Sequence, residues 1–267
     1  MPEGPEVKRM GEALASRICG RNLLKFHILS GRYSKKCPEN LGQFGNKLPT
    51  KIVGPGVHGK FIYIILENGW TIWNTLGMTG AWSTEKNKHT RIEIQLDDGK
   101  IFYNDQRNFG TIKLVKEKSK LVEKLSSLGP DMLSQNVPDH IFVNRLRKKK
   151  SKTIVEVLMD QKIIAGVGNY IKAESLYLAK ISPHRTVDSL SDSELLSLKN
   201  KIQDVMKESF RSGGATIRTY KNFDGTSGGY GSRFIVYNQK SDPMGNVVVK
   251  EATKDKRTTH WVPDIQK

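Results

Sequence analysis

The stretch MPEGPEV sets two carboxylates, Glu3 and Glu6, beside two prolines at the start of a 267-residue chain. Carboxylates can shuttle protons or cap a helix. Pro5 suits the first helical position, where its missing N–H would find no partner anyway, and Glu6 favours the positive end of the helix dipole. Pro2 and Glu3 precede that helix. By residue type alone they read as a processed tail, since proline is small enough to allow removal of an initiator methionine.

Four further groups could do chemistry. GPGVHG at 54–59 has the letters of a dinucleotide loop, but a strand-like KFIYIIL follows instead of the helix that would hold a pyrophosphate, so the glycines read as a turn. Lys60, displayed after that turn, can reach a phosphate or simply be solvated. GVGNYIKAE puts two glycines and Asn169 where a helix begins, either a backbone anion site with a side-chain donor or a plain N-cap. NTLGMTGAW and NDQRNFGT each place a large side chain in a glycine-marked turn. Met78 and Phe109 are apolar wedges and Arg107 can hydrogen-bond a base edge, so the three could fill the gap left by an everted base; ordinary core packing is the alternative for Met78 and Phe109. The basic run RLRKKKSK at 145–152 reads as a solvated face, a phosphate contact or a nuclear address.

The elements that must position these groups form an α+β chain. Val7, Met10, Leu14 and Ile18 recur at helical spacing along the first helix. KFIYIIL-ENG-WTIWNTL and RIEIQL-DDG-KIFYND are hairpins joined by Asn-Gly and Asp-Gly, and with Leu23–Leu29 and GTIKLV they predict a β-sandwich or barrel. Past LGPDMLSQNVPDH the periodicity turns helical: TIVEVLMD, NYIKAESLYLAKI and SDSELLSLKNKIQDVMKESF, the last with Ser191 and Glu194 at capping-box spacing. A glycine-rich DGTSGGYGS follows, then RFIVYN and NVVVKE as two short strands of a C-terminal hairpin. The expected organisation is an N-terminal β-sandwich domain over 1–130, a linker over 131–138, a helical domain over 139–232 and a hairpin over 233–267.

Composition selects the partner. The chain carries 44 Lys+Arg against 27 Asp+Glu, a net charge of +17, which favours a polyanion. No apolar run approaches the roughly 20 residues of a membrane span, and acidic residues stand where a signal peptide needs a basic start. Two cysteines, Cys19 and Cys37, form no CxxC pair and no disulfide framework, which suits a reducing, intracellular compartment, with the nucleus open. Nucleic acid is the expected partner, without a membrane.

Taken together, PEGPEV, the GK of 59–60, LGMTG, the Arg-x-Phe-Gly of RNFG, AGVGNYIKAE and the closing RTTHW resemble the formamidopyrimidine-DNA glycosylase/endonuclease VIII family over essentially the whole chain. The resemblance implies an N-terminal β-sandwich with a leading helix, a helix–two-turn–helix domain and a finger. It implies a monomeric repair enzyme for damaged double- or single-stranded DNA, a glycosylase and abasic-site lyase without cofactor. Pro2, freed by loss of Met1, becomes the nucleophile, with Glu3 as proton shuttle and Lys60 as the third catalytic residue. Lys60 and Asn169 hold flanking phosphates, Met78, Arg107 and Phe109 fill the void, and Glu6 and Glu174 are supporting carboxylates. The loop NFDGTSGGYGS, with Phe223 and Tyr230, covers the lesion. The resemblance also implies oxidised pyrimidines and ring-opened or hydantoin purines as substrates, with β,δ-elimination; a non-catalytic damage-binding protein on the same scaffold, or an RNA-binding one, is the alternative.

The chain departs from zinc-bearing relatives in the finger. Met244, Val247, Val262 and Ile265 stand where thiolates would ligate zinc, so no metal is expected and these four are expected to pack on one another. Arg257 keeps the place of the family's phosphate-gripping arginine.

Overall fold

The computed structural model describes residues 2–215 and 222–267. Met1, whose removal the resemblance requires, and 216–221, within the expected helical domain, lie outside the described residues. The fold is α+β and divides into two compact units, Met1–Pro2 with Glu6–Ser126 and Gly213–Gly228, and Glu3–Pro5 with Ser127–Ser212 and Gly229–Lys267.

In the first unit, helix α1 (Gly4–Ile18) buries the predicted stripe, with Val7, Met10, Leu14 and Ile18 at most 1% exposed. Eight strands follow: β1 (Asn22–Ile28), β2 (Thr50–His58), β3 (Phe61–Leu66), β4 (Thr71–Thr75), β5 (Gly80–Ser83), β6 (Thr90–Leu96), β7 (Gly99–Asp105) and β8 (Thr111–Val115). The short helices α2 (Arg32–Lys35) and α3 (Leu41–Gly45) lie between β1 and β2, and α4 (Lys118–Ser126) closes the unit.

The hydrogen-bonded order is β5-β7-β6-β1-β2-β3-β4-β8. β1 and β2 share only the pairs Asn22–Lys51 and Leu23–Thr50, so the sheet folds over at that point into two four-stranded halves. Ile92, Ile94 and Ile101 of one half and Ile62, Ile64 and Ile72 of the other enter one core, and Trp82 Nε1 donates to Asn74 Oδ1 across it at 3.0 Å. Both predicted hairpins form, β3–β4 and β6–β7. GPGVHG differs from expectation: Gly54 to His58 belong to β2, with the register shift between Ile52 and Gly54, and only Gly59 and Lys60 make the turn into β3. A period-2 alternation cannot register where glycine replaces every second side chain, which hid this strand.

The second unit holds α5 (Asp139–Arg147), α6 (Ile154–Met159), α7 (Asn169–Leu178) and α8 (Asp192–Arg211), the last opened by the predicted capping box of Ser191 and Glu194. α6, two turns and α7 make the helix–two-turn–helix. Asp131, Met132 and Val137, in the stretch expected as a linker, are buried, and Asp131 bridges to Ala165. β9 (Val249–Ala252) and β10 (Thr258–Trp261) pair antiparallel as the C-terminal hairpin. The hairpin expectation is therefore corrected: NVVVKE pairs with TTHW, not with RFIVYN.

Candidate functional site

The helix–two-turn–helix presents the N-terminus of α7, and Glu3 occupies it. The Glu3 carboxylate, 2% exposed, accepts the Tyr170 N–H at 2.9 Å and the Ile171 N–H at 3.3 Å, while Gly4 N donates to Gly166 O at 2.9 Å. The anion expected at this helix start is thus Glu3's own side chain, because free N–H groups at a helix terminus take the nearest carboxylate. Gly168 is required for that approach: a Cβ there would lie 2.1 Å from Glu3 Cδ. Pro2, next in the chain, is buried rather than a frayed tail. Asn169 turns its amide to the hairpin, donating from Nδ2 to Thr258 O at 2.9 Å.

Glu174, fully buried one helical turn and more beyond, has a definite task. Its carboxylate accepts the backbone N–H groups of Ile235, Val236 and Tyr237 at 2.9, 2.9 and 2.7 Å. RFIVYN is therefore held by a side chain where a strand ladder was expected. Burial pushes the Glu174 pKa up, and the three N–H donors pull against it.

The four apolar residues expected to pack on one another in the hairpin do not all do so. Val262 and half-buried Ile265 pack with Ala173 and Tyr177 of α7, but Met244 and Val247 are 67% and 68% exposed. The Met244–Val247 end is fastened instead by Asp242, whose carboxylate accepts from Met244 N, Asn246 N, Asn246 Nδ2 and Tyr177 Oη at 2.8 to 3.0 Å. Burial and this hydrogen bond push the Tyr177 pKa up to about 12. Gln266 fastens the other end, accepting from Val262 N and donating to Ile181 O. Packing of Val262 and Ile265, together with the hydrogen bonds of Asp242 and Gln266, thus does what four apolar side chains were expected to do. Among the described residues no three His, Cys, Asp or Glu are grouped to hold a metal. Arg257 lies in the turn between β9 and β10, exposed.

In the first unit the structure brings Met78, Arg107 and Phe109 together. Arg107 Nη1 lies 3.0 Å from Met78 Sδ, and its guanidinium stacks 4.6 Å over the Phe109 ring, which is 53% exposed. Phe109, exposed under a planar cation, is therefore not part of the core. The two loops meet closely enough that a Cβ on Gly77, at φ +63°, would lie 2.6 Å from Gly110 N. Asp105 braces them: Thr79 Oγ1 donates to it at 2.5 Å, Gly110 N at 2.8 Å, and Thr79 Oγ1 in turn accepts Arg107 N at 2.9 Å. Glu6 also acts on backbone, accepting Ala215 N at 2.7 Å beside Gly214. Lys60 is half-buried in the β2–β3 turn.

The two lesion-loop residues fall in different units. Phe223 is half-buried against the first unit's core and lines a cavity of about 270 Å³ with Trp82, His89 and Asn104. Tyr230, 5% exposed, packs with Tyr170 and Phe234 in the second. In the basic run, Arg147 is committed to Val187 O, Leu190 O and Asp192, and Lys152 to Glu156, while Lys148, Lys149 and Lys150 are exposed.

Sequence reasoning missed Asp105, Asp242, His260 and the pair Lys172–Asp255. Lys172 is fully buried on α7, with Nζ 2.5 Å from Asp255 Oδ2 and the Asp255 side chain 2% exposed. Burial lowers the Lys172 pKa, while Asp255 and Glu3 raise it. His260, 5% exposed, is pushed down to about 4 by burial and by the charges of Lys250 and Lys172. Asp105 stood inside NDQRNFG, and its place just before a glycine-marked turn was an available signal.

Comparison with known proteins covers the chain from end to end. Residues 1–112 match the formamidopyrimidine-DNA glycosylase N-terminal domain, 128–221 its H2TH domain and 231–267 its C-terminal domain. The formamidopyrimidine-DNA glycosylases of Prochlorococcus marinus strain MIT 9312 and Roseiflexus sp. strain RS-1 are 36% and 30% identical, each over all of both chains. The crystal structure of the MutM (Fpg) protein of Thermus thermophilus superposes with a TM-score of 0.88 at 28% identity, covering 99% of this chain and 98% of that one. A Lactococcus lactis Fpg variant in complex with DNA containing Fapy-dG gives 0.88 at 26% identity over all of both chains.

Proposed function

The chain belongs to the formamidopyrimidine-DNA glycosylase family, and from that premise we propose that it excises oxidised bases and cleaves the strand through a Schiff base on Pro2. It is a DNA glycosylase of base excision repair with abasic-site lyase activity. The observation that carries the mechanism is the placement of Glu3: a buried carboxylate, fixed by the Tyr170 and Ile171 N–H groups, on the residue following the nucleophile.

With Met1 removed, Pro2 offers a secondary amine. Its lone pair attacks C1′ of the damaged nucleotide as the bond to the base breaks, and the base leaves with the electron pair and takes up a proton. The nitrogen, now bonded to C1′, gives up its one N–H proton to the Glu3 carboxylate, which passes it to the ring oxygen; the C1′–O bond breaks and the nitrogen lone pair forms an iminium, which has no N–H left to lose. The positive iminium acidifies the C2′–H. A base removes that proton and the 3′ phosphate departs, then the 5′ phosphate departs in a second elimination, and water releases the enzyme. An amide nitrogen could do none of this, so retention of Met1 blocks the reaction.

Lys60, Asn169 and Arg257 hold the phosphates, and Met78, Arg107 and Phe109 fill the stack when the base is everted. Eversion costs a few kcal/mol, least for a base already poorly stacked. Arg107 on the face of Phe109 supports this reading, since the pair offers an apolar surface and a planar donor at one point. The substrates proposed are oxidised pyrimidines and ring-opened or hydantoin purines, processed by one copy of the chain. The exposed Lys148–Lys150 cluster supports DNA backbone contact, while a nuclear address draws nothing from the bacterial relatives.

Borohydride reduction tests the proposal. Protein lacking Met1 should become covalently attached to DNA bearing an abasic site, and Pro2→Gly or retained Met1 should weaken or abolish attachment. Protein that is correctly processed and binds this DNA without forming an adduct would instead be a damage-binding protein.

A further inference from the structure

The first turn of α7 makes a contact that the catalytic reading leaves unused. Asn169 and Lys172, three residues apart and so on one helix face, both reach the β9–β10 hairpin, one at the start of β10 and the other in the turn. Asn169 Nδ2 donates to Thr258 O at 2.9 Å, and Lys172 Nζ donates to Asp255 Oδ2 at 2.5 Å. Asp255 then organises the turn from inside. Its Oδ1 accepts the Thr253 hydroxyl at 2.6 Å and Arg257 N at 3.4 Å, while Thr253 N donates to Arg257 O at 3.1 Å. Lys256, at φ +59°, completes the bend.

Charge makes the arrangement informative. The turn 253–257 contains Lys254, Lys256 and Arg257, and its one carboxylate is Asp255. That carboxylate is 2% exposed and is neutralised by a lysine that is fully buried. A buried ion pair adds little stability beyond what a well-packed apolar pair would give, but it fixes direction, because either charge left alone in the interior is strongly unfavourable. Arg257 is attached by its own N–H and carbonyl to the two residues this pair anchors.

We infer that Lys172 and Asp255 are positioning residues for DNA binding: the buried pair locks the finger turn to the helix that seats Glu3, and so aims Arg257 at a phosphate. This rests on the DNA glycosylase reading. It extends that reading by making the grip of the finger depend on an ion pair that touches no DNA.

The test uses the full chain without Met1 and a duplex carrying an uncleavable abasic-site analogue. Because a lone buried charge would destabilise either single variant, the decisive protein is Lys172→Met/Asp255→Asn, which removes both charges together. Its affinity for the duplex is expected to fall about tenfold, and its log affinity–log salt slope to become shallower by about 0.9, the loss of one phosphate contact. Adding Arg257→Ala to it should change affinity less than about twofold, whereas Arg257→Ala in the wild type should cost about tenfold. A double variant that melts like the wild type and binds with the wild-type affinity and salt slope overturns the inference, as does full additivity with Arg257→Ala. Wild-type protein that neither binds nor forms an adduct overturns the glycosylase reading instead.

Discussion

Removing the Glu174 carboxylate should loosen the segment that leads into the finger, and the structure sets the size of the effect. The carboxylate is fully buried and its two oxygens serve three backbone donors, Oε2 taking Ile235 N and Oε1 taking Val236 N and Tyr237 N. In Glu174→Gln the surviving carbonyl can keep the two N–H groups at Oε1, while the new amide faces the Ile235 N–H donor to donor. One orphaned buried N–H costs about 1–3 kcal/mol, and two bonds lose the assistance of charge. Relief from burying an ionised group offsets part of this, leaving about 2 kcal/mol. Glu174→Ala orphans all three N–H groups and opens a hole that water can partly fill, for about 4 kcal/mol.

Urea unfolding followed by far-ultraviolet circular dichroism measures both. The functional consequence follows from what the segment carries: Phe234 packs at a tilt against Tyr170, and Tyr237 meets His260 edge-on. Affinity for abasic-site DNA should therefore fall with stability, in the order wild type, Gln, Ala. A Gln variant within about 0.5 kcal/mol of wild type, or an Ala variant no worse than Gln, would refute the claim that this side chain replaces a strand ladder.

Other expected outcomes follow from the same geometry. Gly168→Ala would place a Cβ 2.1 Å from Glu3 Cδ, so adduct formation should drop by about 10²-fold or more, given what misplacing a reacting group costs; a near-wild-type rate in single-turnover assays would contradict the role given to Glu3. Arg107→Ala, which removes the guanidinium from Phe109, should slow excision of a paired lesion more than cleavage at a ready-made abasic site, and equal effects on the two substrates would count against void filling. If about five phosphates are neutralised, binding measured between 50 and 200 mM salt should show a slope near −4.5. His260 is neutral in the fold, its pKa lowered from 6.5 to about 4. Its stabilising contribution is therefore present in full above pH 6.5 and lost as pH falls towards about 4; His260→Leu should flatten the stability profile in that window, and an unchanged slope would show that another group titrates there.

The parts of the molecule legible in the sequence are those whose cause is local. The α1 stripe, the Asn-Gly and Asp-Gly hairpins and the Ser191–Glu194 capping box each arise from residues within a few positions of one another. In the candidate site, the glycine-marked turns singled out Met78, Arg107 and Phe109, and the structure brings these three side chains together. What stayed hidden was pairing at long range. Glu3 meets Tyr170, Glu6 meets Ala215, and Lys172 meets Asp255, and no periodicity announces a carboxylate whose partner is a backbone N–H or a lysine far along the chain. RFIVYN shows the cost of reading composition without that information: its residues favour strand, yet its N–H groups belong to Glu174.

These hidden acids share one physical consequence. In a chain with 27 acidic and 44 basic residues, Glu3, Glu6, Glu93, Asp105, Asp131, Glu174 and Asp242 are buried, against only Lys172 and Lys199 among the described cations. Carboxylates suit the interior better than lysines do here, because an acceptor-only group can be satisfied by the N–H donors that turns and helix ends leave over. Withdrawing acids to hold turns therefore leaves the outer surface more positive than the formal charge of +17 implies. The groups that fasten the Glu3 helix, the Met78 and Phe109 loops and the C-terminal hairpin are thus also the ones that bare the cations a DNA backbone would meet.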